Sequence, residues 1–152
     1  MLSKIRALKE KKGFTLVELI VVLVILAILA ALLVPALTGY IDRANNQKVI
    51  ATTRQVVMAA QTITSEAYAK AENGKLTAGD LAFDTNTPNL VDICKLAEVS
   101  TDGTKANLKN GVTEVAVKIT EKGVVEKVEV TQSGKKCTYT ESNGNYTVDP
   151  TT

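Results

Sequence analysis

The sequence has no histidine and no tryptophan, and only two cysteines and three prolines. Without histidine it lacks both the usual general base near neutral pH and the commonest metal ligand. No other nucleophile–base constellation stands in their place, so the chain reads as non-catalytic, with no metal and no cofactor. The two cysteines, Cys94 and Cys137, suggest one disulfide rather than a metal site if the domain is exported. Two buried free thiols are the alternative. Aromatics are few, with four Tyr and two Phe, which gives little support to an aromatic electron-transfer path. Asp84, Asp92, Glu98 and Asp102 are too scattered for a calcium loop.

Charge is also missing from one long stretch. From Leu19 to Ile41 there is no Asp, Glu, Lys or Arg, and LIVVLVILAILAALL is almost purely aliphatic. As a helix, about 20 such residues span a hydrocarbon core of about 30 Å. Beyond Ile41 the chain turns polar and mixed, leaving roughly 110 residues for one modest soluble core.

The net charge of +2 hides an asymmetry: Lys4, Arg6, Lys9, Lys11 and Lys12 face only Glu10 in the first thirteen residues. This cluster belongs to a leader and does not point to nucleic-acid binding. By the positive-inside rule it keeps the N-terminus cytoplasmic and sends the C-terminal part across the membrane. An ordinary secretory signal places its cleavage site after the apolar core. Here Gly13 lies before it, so cleavage at Gly13 leaves the apolar segment on the mature chain.

The helical pattern continues past Ile41. Val49, Val56 and Ile63 recur every seven residues, with Thr53, Ala60 and Ala67 between them. This spacing predicts one apolar stripe on a helix reaching about Glu72 and closed by Asn73-Gly74. Together with the apolar run it makes one long helix, bent or interrupted at Pro35 and Gly39. Residues 74–111 read as irregular, with a short capped helix after Thr87-Pro88 that carries Cys94. From 112 onward, the runs 112–120, 123–131, 136–141 and 145–148 alternate like strands between Gly-containing turns, which predicts an antiparallel meander. The fold class is therefore α+β, a long N-terminal helix packed on a C-terminal antiparallel sheet of about four strands.

The residues GFTLVE, Gly13 to Glu18, resemble the N-terminus of type IV pilins and related pseudopilins. So do the basic leader before them, the uncharged span containing Pro35, and the small residues Ala27, Ala30 and Ala31. The resemblance is specific over about the first fifty-five residues. The long basic leader is similar to those of Gram-positive prepilins. The resemblance implies a leader over 1–13, a membrane and fibre-core helix half over 14–41, an amphipathic half over 42–73, a loop over 74–111 and a sheet with its tail over 112–152. It implies cleavage between Gly13 and Phe14 by a prepilin peptidase and N-methylation of Phe14. Glu18 is then expected to pair with the Phe14 amine of a neighbouring subunit, setting axial register more than net stability. Pro35 marks a place where the helix is expected to kink or extend in a filament. The implied partners are further pilin subunits, the peptidase, an assembly platform with its ATPases, and the membrane that holds the precursor before it joins a surface pilus. Adhesion, twitching motility or DNA uptake are the roles such a filament serves.

Two alternatives stay open. A pseudopilin of a type II secretion or competence system shares the same N-terminus. A membrane-anchored surface binding protein that never polymerises shares the apolar span and predicts no need for Glu18.

Overall fold

The computed structural model describes residues 15–84 and 88–150. Its first element is a single helix, α1, over Leu16–Lys70. The helix starts where Thr15 provides a cap, its carbonyl accepting from the Leu19 N–H at 3.1 Å. Val and Ile are indifferent helix formers in water, yet a segment meant for an apolar medium must satisfy its backbone internally, and a helix does so. The helix runs through Pro35 without a break. Three residues on, the Thr38 hydroxyl donates to the Pro35 carbonyl at 2.9 Å. It ends two residues before the sequence pattern predicts, in a turn where Gly74 has φ 60°.

The chain divides into two units, Met1–Ile41 and Asp42–Thr152. Among the described residues of the first unit, every one is exposed. The second unit holds the core. Strand β1 (Gly79–Asp80), helix α2 (Leu90–Leu96), a 3-10 turn (Lys105–Asn107) and strands β2 (Val112–Ile119), β3 (Val125–Gln132), β4 (Lys135–Thr140) and β5 (Asn145–Pro150) follow in order. The strands form one sheet in sequence order, antiparallel throughout. The four strands expected from alternation are β2 to β5. The fifth, β1, is two residues long and too short to show any alternation.

The three hairpin turns, between β2 and β3, β3 and β4, and β4 and β5, lie where the glycines indicate. Between β3 and β4, Ser133 and Gly134 both take positive φ, 51° and 73°. This is the two-residue turn whose twist matches that of the flanking strands. The inner face of the sheet, including Val115, Val117, Val128 and Val130, packs against the predicted stripe of α1, where Val49, Thr53, Val56 and Ala60 are fully buried. Ile63 is only partly buried at the edge of that core. A polar clamp fixes the register of helix on sheet. Buried Gln132 accepts from the Thr52 hydroxyl at 2.9 Å and donates to the Asn110 carbonyl at 2.9 Å.

Candidate assembly site

The head of α1 carries a reciprocal cap. The Thr15 backbone N–H and hydroxyl both donate to the same Glu18 carboxylate oxygen, at 2.8 Å and 2.7 Å. The Glu18 N–H in turn points to the Thr15 hydroxyl at 3.3 Å. This is the capping box, threonine at the cap and glutamate three residues on, which satisfies helix-end donors that have no intrahelical partner. A negative group here also suits the positive end of the helix dipole. Glu18 is thus held in one rotamer by its own helix while staying exposed. The signal was present in sequence as Thr15-x-x-Glu18 and was missed. The expected roles of Gly13 and Phe14 fall outside the described residues.

Below this head, the first unit presents an apolar cylinder. Leu16, Leu32 and Leu33 are 73%, 71% and 66% exposed. α1 carries an apolar stretch long enough to cross a membrane. A contiguous exposed apolar surface of that size needs another phase or another molecule against it. Pro35 and Glu18 sit on this one helix. Cys94 and Cys137 belong to the other unit.

Of the two readings of the cysteine pair, the structure shows the buried free thiols, and the disulfide stays an expectation. Cys94 on α2 and Cys137 on β4 are both free and both buried. Each serves as a small apolar core residue. Burial pushes the Cys94 thiol up to about 11. Cys137 is also raised by burial, with the Thr53 hydroxyl and the Arg54 charge opposing the rise.

Asp92, Asp102 and Glu129 are held by local partners. Asp92 takes part in the α2 cap, its N–H donating to the Asn89 side chain at 2.8 Å. Asp102 accepts from the Thr104 N–H at 2.9 Å, the Thr104 hydroxyl at 2.7 Å and the Asn107 amide at 2.7 Å. These bonds, the Thr104 N–H foremost, hold its carboxyl down at about 2. On the outer sheet face Lys127 and Lys136 both reach Glu129, at 3.0 Å and 2.9 Å. Burial alone raises the Glu129 carboxyl, and the two lysines outweigh it and bring it below its ordinary value. Among the described residues no group of three or more His, Cys, Asp or Glu converges as a metal site.

Residues 8–34 match the family model described as the prokaryotic N-terminal methylation motif. No curated protein and no solved structure matches the chain. The motif covers the end of the basic stretch and the head of α1, and the long helix against an antiparallel sheet is the α+β architecture of the pilin fold. The chain therefore carries the N-terminal methylation motif typical of type IV pilin-like prepilins, at the head of a long apolar helix.

Proposed function

We propose that this chain is a structural subunit of a type IV pilus, a non-catalytic protein that works by self-assembly. A prepilin peptidase cleaves between Gly13 and Phe14 and methylates the Phe14 amine. The processed subunit waits in the cytoplasmic membrane and then enters an extracellular filament through its apolar helix half. The observation that carries this reading is the exposed, charge-free surface from Leu19 to Ile41, most of it inside a methylation motif that begins in the basic stretch before it. A bilayer covers that surface in the stored subunit, and neighbouring helices cover it in the fibre. Glu18, held at the helix head by Thr15, presents a carboxylate to the amine of the next subunit. Desolvation offsets much of the attraction, so the pair fixes register more than it adds stability.

Intact mass spectrometry of protein sheared from producing cells tests this. The expected chain begins at Phe14 and carries one added methyl group. The same processed chain confined to the membrane fraction points instead to a pseudopilus. An unprocessed chain starting at Met1 overturns both readings and leaves a surface anchor.

A further inference from the structure

Between Glu18 and Asp42 no residue of α1 is charged, so the apolar run has a sharp outer end. At 1.5 Å per residue, Leu19 to Leu37 measures about 28 Å, against about 30 Å for a hydrocarbon core. When this run crosses a bilayer, Thr38 to Ile41 falls at the level of the headgroups. Tyr40 lies there, 72% exposed. A tyrosine ring suits that level, with its apolar body and polar tip.

Asp42, Arg43, Lys48 and Arg54 are the next charges along the helix. Three of them are turned onto the folded domain. Asp42 meets Lys135 at 3.5 Å. The Lys48 ammonium donates to the Asn110 carbonyl at 3.1 Å. The Arg54 guanidinium lies over the Tyr146 ring, 5.1 Å from its centroid. Arg43 is the exception. It is exposed, and no ion pair among the described residues includes it. Its neighbours one helical turn away, Gly39, Tyr40, Asn46 and Gln47, are all uncharged.

The basic residues before Gly13 leave with the leader in the proposed cleavage. The inner end of the processed helix then keeps the Phe14 amine and Glu18, one charge of each sign. The outer end keeps Arg43, a cation without a counter-ion among the described residues, at the height of lipid phosphate.

We propose that Arg43 is a headgroup anchor, its guanidinium donating to phosphate oxygens of phospholipids in the outer leaflet of the cytoplasmic membrane. The proposal rests on the reading of the stored subunit as a membrane-spanning chain. A planar fork of N–H donors matches two phosphate oxygens at once. The aliphatic stem lies along the apolar end of the run while the charged head reaches the wet layer. The bilayer holds its phosphates in a dense plane at that height, so lipid rather than a free anion is the ligand.

The full-length chain in bilayers of phosphatidylcholine and phosphatidylglycerol tests the contact by solid-state NMR. Arginine is labelled at Cζ with an NMR-active carbon, in an Arg6→Lys background that leaves Arg43 and Arg54 as the labelled residues. Lipid phosphorus is expected to dephase the Arg43 share of the arginine signal. The Arg54 share, from the side chain over Tyr146, is expected to stay intact. In Arg43→Gln the dephasing is expected to vanish. A parent signal that lipid phosphorus leaves untouched overturns the anchor, and so does dephasing that persists in Arg43→Gln. Both results leave the membrane span standing. A chain that alkaline carbonate strips from the bilayers sinks the stored-subunit reading itself.

Discussion

Glu18 has two demands on one carboxylate, and a single conservative change separates them. Within its own helix it accepts from the Thr15 N–H and hydroxyl, and a glutamine oxygen does the same. Toward a neighbouring amine only the ionised form supplies a counter-charge. Glu18→Gln is therefore expected to keep the helix start while filament yield falls sharply, and Glu18→Ala to lose both. Circular dichroism of detergent-purified protein and the amount of sheared filament are the two readouts. A glutamine variant that assembles like wild type removes the ion pair from the mechanism and leaves the cap as the residue's whole role. Thr15-x-x-Glu18 is legible in the sequence as a capping box, whereas a carboxylate beside an apolar run points by itself only to an intermolecular partner.

At the scale of elements, an unbroken apolar run located the first half of α1, and periodicity located its second half and strands β2 to β5, where an inner face packs on the core and an outer face meets solvent. That contrast is what a pattern of period 3.6 or 2 records. It failed for β1, whose two residues pair with Ile119 and Lys118 without a repeating face. It also gave no hint of the loop at Ser100–Leu108, which is held by side chains acting on the backbone. There the buried Ser100 hydroxyl accepts from the Gly103 N–H at 3.0 Å, and Gly103 has φ 82° at a place where any Cβ would run into the Val91 carbonyl. The Asp102 bonds give this loop a pH dependence with a definite sign. A carboxyl held at about 2 in the fold and near an ordinary value of about 3.9 when unfolded stabilises the fold above the unfolded value. That contribution is lost as pH falls through the folded one. Amide exchange at Gly103 and Thr104 is expected to quicken on acidification from about pH 4 to pH 2 relative to the sheet. Asp102→Asn is expected to flatten that change. Equal acid response in the variant contradicts the assignment.

On the scale of the whole molecule, the fold was legible and the pairing state of the two cysteines was not. Sequence spacing carries no information about whether two sulfurs face each other, since that needs Cα atoms within about 7 Å and suitably directed Cβ bonds. The folded domain instead uses both cysteines as filling, and its stability should not depend on redox state. Thermal melts with and without reductant are expected to coincide. A disulfide closing the Cys94–Cys137 loop would be worth about 4 kcal/mol in the chain-entropy model, so a clear drop with reductant would show that the bond forms after all. In native protein neither thiol is expected to react with a thiol reagent at pH 8, and both should react on unfolding. If the chain assembles as proposed, the exposed half of α1 has a further consequence for the direction of assembly. Lipid tails and aliphatic neighbours hide the same surface about equally well, so moving the helix from bilayer to fibre changes its exposure to water very little. The large hydrophobic term cancels, and the balance between stored and assembled protein is left to small differences in packing, register and docking. A polymer held by such small differences can be dismantled back into the membrane it came from, subunit by subunit, without a protease.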